Sequence, residues 1–480
     1  MLVSSSGLSK VKESIKEKIF FGNEPTAELI AILTVYFVQG ILGLARLAVS
    51  FFLKDELGLT PAQVSALMGI VALPWIVKPL FGFISDGFPI FGYRRRPYLV
   101  LSGIIGAASW VSLATIVHTP VLATAAIALG SLSVAVSDVI VDSLVVERAR
   151  VESQAEAGSL QSLCWGASAF GGLITAYFSG VLLEHFSNRT VFWITASFPL
   201  IVSAVAWFIA ESSVSKDNSE NDHTNLRSIQ HQLGQLRQAI TQKSIWLPTA
   251  FLFIWQATPT AESAFFFFTT NELHFQPEFL GRVRLVTSVA SLVGIWIFQR
   301  FLKTVPFRVI FGWSTILSAA LGMTMLLLVT HTNRALGIDD HWFSLGDSLI
   351  LTVMGQIAYM PVLVLAARLC PSGVEATLFA LLMSVTNLAG LLSYEFGAIL
   401  MHWFGITETN FQNLWLLVIL TNLSTLLPLP FLNWLPAADS QTETLKNLPP
   451  ASVPDHEESF VPNMMPELML RELESEVARD

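Results

Sequence analysis

The chain alternates long apolar runs with short polar segments from about residue 27 to residue 436. Each run is about 20 residues long, which lets an α-helix cross a hydrocarbon core of roughly 30 Å. The two-residue alternation typical of an outer-membrane barrel does not occur. The pattern therefore predicts an all-α membrane protein with twelve transmembrane helices. The predicted spans cover about residues 27–53, 61–84, 97–119, 120–146, 159–183, 190–210, 246–270, 282–299, 306–330, 346–367, 375–403 and 413–436.

One polar segment, residues 211–245, is longer than the other interior loops and separates six spans from six. Two related halves of this kind are typical of transporters with internal repeats. The pattern predicts five parts. They are a cytoplasmic N-terminal segment at 1–26, an N-terminal six-helix half at 27–210, a cytoplasmic linker at 211–245, a C-terminal six-helix half at 246–436 and an acidic cytoplasmic tail at 437–480.

Charge is sparse in the predicted membrane part. Charged residues make up 13% of the chain, about half of the roughly 25% that is common in globular proteins. The tail carries ten Asp and Glu against three Lys and Arg, so it contributes −7 of the net charge of −9. The low charge of the membrane part predicts that the lipid bilayer is a partner of the protein. The net negative charge gives no reason to expect nucleic acid as a partner. Cys164 and Cys370 lie in or beside apolar runs, and their spacing predicts neither a disulfide framework nor a metal site.

The loop GFISDGFPIFGYRRRP, residues 82–97, places three consecutive arginines between spans two and three. With both termini in the cytoplasm, about 20 Lys and Arg fall in inner segments and about 5 in outer ones. The positive-inside rule therefore predicts that this arginine loop is cytoplasmic. The N-terminus lacks the apolar core of a signal peptide, so we expect a basic amphipathic helix on the cytoplasmic membrane surface.

Two segments echo one another in equivalent places of the two halves. ARVESQAEAG follows span four, and ARLCPSGVEA follows span ten. Arg150 then corresponds to Arg368, and Glu156 to Glu375. A carboxylate suits the unpaired N–H groups and the positive dipole end at the start of a helix, so capping is the favoured role of both glutamates.

Ionisable side chains inside a span are costly, so each one is a candidate for function. Gln39 and Arg46 in span one are seven residues apart and share a helical face. Arg46 can form a two-pronged bond to a substrate carboxylate. Pairing with an acid inside the membrane is an equal alternative for this arginine.

Asp138 and Asp142 in span four are four residues apart and also share a face. Two carboxylates this close in a low dielectric should not both ionise easily, which suits a proton-coupling role. Pairing with Lys78 or Arg148 is the alternative, and it is stronger for Asp142, which lies nearer the cytoplasmic end. Asp138 lies deeper, and function is favoured there.

Span seven contains the string WQATPTAESAFFFF. Pro259 should interrupt the helical hydrogen bonds and leave backbone groups that need partners. Gln256 and Glu262 give this broken helix a polar face. The four phenylalanines at 265–268 offer a flat surface on which an aromatic ring could stack, although such runs more often pack in the bundle or face lipid.

Arg282 and Arg284, at the outer end of span eight, break the positive-inside trend. They could attract an anionic ligand to the external mouth, or they could anchor the helix at the membrane interface. Glu395 in span eleven is a further candidate without an assigned role.

Several longer strings resemble known sequences. The GxxxD and GxRRR elements of the arginine loop resemble the loop signature of the major facilitator superfamily. The version DGFPIFGYRRRPYLVLSG is similar to that of the folate–biopterin transporter family. Further strings of the same family are YFVQGILGLARLAVSFFLKDELGLTPAQ, SDVIVDSLVVERAR, WQATPTAESAFFFFTTNELHFQPEFLGR and LCPSGVEATLFALLMSVTNLAG. The resemblance covers about residues 27–436.

This resemblance implies a secondary active transporter that carries folates or related pterins by alternating access, with substrate bound between two major facilitator-like halves. It also implies a cytoplasmic gate, in which Asp86 lies near the start of span eleven and pairs with Arg148 or Arg150. Gly87 and Gly92 would let the turn fold tightly. The full set of expected gate residues is Lys78, Asp86, Gly87, Gly92, Arg94, Arg148, Arg150 and Arg368.

No nucleotide-binding, metal or nucleophile motif occurs in the sequence, so we expect no cofactor and no enzymatic activity. We also expect that transport is coupled to protons and that the protein is a monomer. The resemblance to the family further implies a cyanobacterial-type protein of the plasma membrane. Two alternatives remain open: export of another organic anion, and a non-transporting pigment or assembly factor on the same fold.

Overall fold

The computed structural model describes residues 24–149, 154–211, 241–302, 305–368 and 375–436. Within these residues the chain is built from α-helices, short 3₁₀ and π turns, and loops. One isolated β-bridge, between Ile90 and Tyr93, closes the turn of the arginine loop. The all-α fold class is confirmed.

The helices follow the order of the predicted spans. The first half contains α1 Ala27–Glu56, α2 Pro61–Ser85, α3 Arg96–Thr115, α4 Pro120–Ala149, α5 Gln154–His185 and α6 Asn188–Phe208. The second half contains α7a Lys243–Gln256, α7b Glu262–Phe267, α8 Pro277–Leu302, α9 Phe307–Val329, α10 Asp340–Arg368, α11 Glu375–Trp403 and α12 Leu414–Trp434.

Ten of the helices in the described part of the chain are long and apolar enough to cross a membrane. The predicted span at 246–270 is divided between α7a and α7b, so neither piece reaches spanning length. The predicted span at 375–403 coincides with α11. The total of twelve crossings therefore stays a prediction.

Local sequence sets several helix boundaries. Thr60 caps α2 by accepting a hydrogen bond from the Gln63 backbone N–H, and the Gln63 side chain accepts one from Thr60 N–H. Pro61 follows as the first helical residue, where its missing N–H costs nothing. Glu375 is the first residue of α11, in agreement with the capping position expected for it.

Each half packs an apolar cluster toward each end of the bundle. In the first half, one cluster contains Phe52 and Phe192, whose ring centroids lie 5.4 Å apart, and the other contains Leu99. In the second half, the clusters are built around Phe268 and Phe311. The end that holds Phe52 and Phe268 lies opposite the arginine loop and is called the outer end below.

The two halves meet along α2 with α11 and along α5 with α8. Gly180 and Gly281 let α5 and α8 cross closely, since a Cβ atom on Gly180 would lie 2.6 Å from the Pro277 carbonyl oxygen. Across the other seam, the Ser65 hydroxyl donates to the Tyr394 carbonyl oxygen at 2.7 Å.

Most of the predicted N-terminal segment, most of the linker and the whole acidic tail lie outside the described residues. The five domain boundaries consequently stay predictions.

Candidate functional site

Two groups of polar side chains interrupt the apolar packing. The lysine cluster lies within the first half and consists of Tyr36, Gln39, Lys78, Asp138 and Asp142. The arginine cluster includes residues from both halves and consists of Arg46, Glu262, Arg284 and Tyr394.

The lysine cluster is centred on one cation. Lys78 forms an ion pair with Asp138, and its Nζ lies 3.3 Å from Oδ2 of Asp142. The Tyr36 hydroxyl donates to Oδ1 of Asp142 at 2.5 Å. The side chain of Asp138 is 15% exposed and that of Asp142 is 47% exposed. Asp138 therefore depends on Lys78 more than Asp142 does.

Breaks in α2 bring this lysine to α4. The helix is interrupted at Val77, and Lys78 begins the next helical segment with Pro79 behind it. The Lys78 ammonium also lies 5.5 Å from the centroid of the Trp75 ring. Pairing with Lys78, the alternative considered for both aspartates, is what the structure shows. With both acids ionised, the three groups carry a net charge of −1.

The Gln39 side chain lies beside Asp138. Its Nε2 is buried there. Tyr36 is a residue that the sequence analysis missed. Its spacing of three from Gln39 on α1 was an available signal, because the two share a helical face.

The broken helix predicted at Pro259 is present, with non-helical residues at 257–261 between α7a and α7b. Its backbone groups find partners on α11. Thr260 N–H donates to the Ser393 carbonyl oxygen at 3.2 Å, and the Ser393 hydroxyl donates to the Thr258 carbonyl oxygen at 2.5 Å. This is the condition under which irregular backbone is tolerated at membrane depth.

The break places Glu262 at the start of α7b, where the Tyr394 hydroxyl of α11 donates to its carboxylate at 3.1 Å. Arg284 of α8 interacts electrostatically with both Glu262 and Arg46. Arg46 comes from α1, so the cluster joins the two halves. The cluster contains two guanidinium groups and one carboxylate, so its net charge is +1.

The other predicted residues of the second half lie apart from this cluster. Arg282 pairs with Glu278 one turn away on α8 and is 63% exposed. Gln256 is the last residue of α7a and is half-buried. Glu395 lies against Gly69 of α2, where a Cβ atom would be 2.6 Å from its Oε1.

The phenylalanine run mostly packs inside the bundle. Phe267 and Phe268 are buried in the clusters of the outer end. The Phe266 ring lies 5.1 Å from that of Phe51 in an edge-to-face arrangement. Core packing, one of the alternatives for this run, therefore describes these three rings.

At the opposite end, the arginine loop is fixed by a residue that the sequence analysis did not select. The Glu211 carboxylate accepts hydrogen bonds from the backbone N–H groups of Arg94 at 2.5 Å, Arg95 at 3.0 Å and Arg96 at 3.1 Å. An acid at a helix start is favoured by the unpaired N–H groups. Gly92 has a φ of 82°, in agreement with its expected role in the turn.

The residues of the expected gate pairs lie mostly outside the described part of the chain. The side chains of Asp86, Arg148 and Arg368 lie outside what the structure describes, as do the Gly87 environment and the whole of Arg150. The gate therefore stays a prediction.

Comparison with known proteins gives a match over residues 39–449 to a family model described as the BT1 family. A folate-biopterin transporter of Synechocystis sp. is 60% identical over 477 residues, and the alignment covers 95% of each chain. Folate transporter 2 of Plasmodium falciparum is 31% identical over 444 residues, which cover 92% of this chain and 94% of that protein.

Solved structures share the fold at low sequence identity. The nucleoside transporter NupG has a TM-score of 0.64 at 14% identity, over 85% of this chain and 98% of that one. A D-xylose-proton symporter has a TM-score of 0.61 at 15% identity, over 86% of this chain and 99% of that one. The expected major facilitator-like fold is confirmed.

Proposed function

The chain belongs to the BT1 family, and we propose that it carries folates and related pterins across a membrane by alternating access. Its relatives are named as transporters, which confirms the expectation of a membrane transporter rather than an enzyme. The choice of substrate rests on those relatives together with the charge of the arginine cluster.

The observation that carries the proposal is the surplus positive charge between the halves. Folate ends in a glutamate whose two carboxylates are ionised at neutral pH. A guanidinium binds a carboxylate through two parallel hydrogen bonds. In the proposed complex, Arg46 and Arg284 bind these carboxylates, while Glu262 stays fixed by Tyr394. Because Arg46 belongs to one half and Arg284 to the other, a bound substrate would hold the halves together.

The lysine cluster supplies the proposed proton site. One proton on Asp138 would neutralise the net charge of −1 that Lys78, Asp138 and Asp142 carry together. Helix α1 carries Gln39 beside Asp138 and Arg46 in the arginine cluster, and a 3₁₀ turn at Leu42–Leu44 separates them. A shift of α1 on substrate binding would therefore change the surroundings of Asp138. This is the proposed link between substrate and proton.

The decisive experiment is uptake of labelled folate by proteoliposomes containing the purified protein, with and without an inward proton gradient. Saturable uptake that the gradient stimulates supports folate–proton symport. Uptake that is independent of the gradient would support folate transport and contradict the proton role of Asp138. Absence of folate and pterin uptake by correctly inserted protein would contradict the proposal.

Export of another organic anion is the second candidate, because the paired arginines would accept any dicarboxylate of suitable size. Competition by glutamate-containing and glutamate-free pterins separates the two. We further propose a monomer with both termini in the cytoplasm of a bacterial plasma membrane. The same uptake assay addresses the non-transporting alternative, a pigment or assembly factor.

A further inference from the structure

The outer ends of α1 and α7b form two corners with the same backbone. Each ends in a five-residue π turn, Phe52–Glu56 in one and Phe268–Glu272 in the other. A residue with positive φ follows each turn, Gly58 at 62° and His274 at 57°. Every element of the second corner lies 216 positions after its counterpart (272 − 56 = 216).

The hydrogen bonds of the corners repeat as well. Leu59 N–H donates to the Leu53 carbonyl oxygen at 3.0 Å, and Phe275 N–H donates to the Thr269 carbonyl oxygen at 2.9 Å. A proline then opens the next helix in both corners. The sequences FFLKDELGLTP and FFTTNELHFQP share this geometry and differ in charge.

One side chain joins the two corners. The Lys54 ammonium pairs with Oδ1 of Asp55 at 2.6 Å and donates to Oδ1 of Asn271 at 2.7 Å. Asp55 and Asn271 are equivalent positions of the two corners. The Lys54 side chain is 9% exposed, and its Nζ lies 5.8 Å and 5.9 Å from the ring centroids of Phe51 and Phe267.

The partner amide is oriented for this contact. Asn271 Nδ2 donates to the Glu408 carbonyl oxygen at 2.8 Å, which directs its oxygen toward Lys54. The position equivalent to Lys54 is Thr270, whose hydroxyl donates to the Phe266 carbonyl oxygen within its own helix and lies 3.4 Å from Oδ1 of Asn271. A buried cation therefore crosses between the halves from one corner only.

We propose that Lys54 and Asn271 form an outer latch, which holds the outer ends of the two halves together and must break for the protein to open outward. A neutral amide binds an ammonium less strongly than a carboxylate does, and Asp55 keeps the cation paired after separation. The latch is thus breakable without leaving a buried unpaired charge. The inference rests on the alternating access proposed above.

The test measures the distance between spin labels at Val121 and Thr409, which are exposed at the outer ends of the two halves. Both native cysteines are replaced by alanine first. Lys54→Met and Asn271→Leu should each enlarge the long-distance population several-fold relative to the parent protein. Because the two residues act as one contact, the double variant should open no further than either single variant.

Two control variants test whether opening depends on the contact between Lys54 and Asn271. Lys54→Arg keeps the charge, and Thr269→Val removes a hydroxyl of the other corner that donates to carbonyl oxygens of its own helix. Both should keep the parent distance distribution. Unchanged distributions in folded Lys54→Met and Asn271→Leu, judged by their melting temperatures, would overturn the latch. The readout needs no substrate, so opening of these variants in a protein that takes up no folate would count against the proposed function alone.

Discussion

The lysine cluster and the arginine cluster are both charged groups inside a membrane protein, and they are built in opposite ways. In the first, Lys78 lies between Asp138 and Asp142, and all of its members belong to one half. In the second, Arg46 and Arg284 come from different halves and have one carboxylate, Glu262, near them. The first has an excess of negative charge and the second an excess of positive charge.

From this difference we infer separate tasks for the two clusters. An excess acid inside one half can accept a proton without any contact to the other half. An excess cation between the halves needs an anion to complete it, and that anion would then connect them. Under this interpretation the clusters communicate along α1, which contributes Tyr36 and Gln39 to one and Arg46 to the other.

The largest expected effect comes from removing the central cation of the lysine cluster. Lys78→Met leaves two carboxylates facing each other and should abolish uptake and lower the melting temperature. Breaking a buried pair costs about 3–5 kcal/mol, and less here because the Lys78 side chain is 27% exposed. Uptake assays and thermal unfolding in detergent measure both effects.

The double variant Lys78→Met with Asp138→Asn is the control for that prediction. It removes one acid together with the cation, so most of the lost stability should return while uptake stays low. If the single variant were as stable as the parent protein, the idea that Lys78 offsets the two acids would be wrong.

The next largest effect concerns the arginine cluster. Arg284→Gln should leave the amount of folded protein unchanged, because Glu262 keeps its hydrogen bond from the Tyr394 hydroxyl. The KM for folate should rise about 10- to 100-fold, the range expected for losing hydrogen bonds to a charged group. The KM for a pterin without the glutamate tail should rise much less. Equal rises in KM for both substrates would contradict carboxylate binding at this arginine.

A third prediction separates the two tasks directly. Asp138→Asn mimics the protonated acid, so uptake should lose its response to a proton gradient while folate binding persists. Asp142→Asn is the matched variant, and it should matter less because that side chain is 47% exposed. Proteoliposome uptake at several outer pH values measures the response, and an unchanged gradient response in Asp138→Asn would exclude that residue as the coupling site.

Sequence reasoning predicted the parts of this arrangement that depend on local pattern. The length of the apolar runs predicted the helices, and Pro259 predicted the break in span seven. Spacing along one helix grouped Gln39 with Arg46 and Asp138 with Asp142. Each of these follows from chain geometry within a single helix.

The parts that depend on packing between helices were beyond that reasoning. Arg282 and Arg284 were grouped by nearness in sequence, yet one pairs with Glu278 at the surface and the other faces Glu262. Glu211 follows the sixth span and gave no local signal that it would cap α3. The Lys54 contact needs both corners side by side, which no single segment specifies.

The smallest predicted effects come from two tyrosines that hold one acid in each cluster. Tyr394→Phe removes the hydroxyl that fixes Glu262, which frees that carboxylate to compete with substrate for Arg284. The KM for folate should rise about 2- to 10-fold, the range for one ordinary hydrogen bond. The response to a proton gradient should stay as in the parent protein.

Tyr36→Phe is the matched change in the lysine cluster, where the lost hydroxyl donates to Asp142. It should leave the KM for folate unchanged and weaken the response of uptake to a proton gradient, because Asp142 without that hydroxyl draws Lys78 away from Asp138. Uptake measured across folate concentration and outer pH gives both quantities for both variants. If each variant altered both quantities equally, the two clusters would form one functional unit, and the division of tasks between them would be wrong.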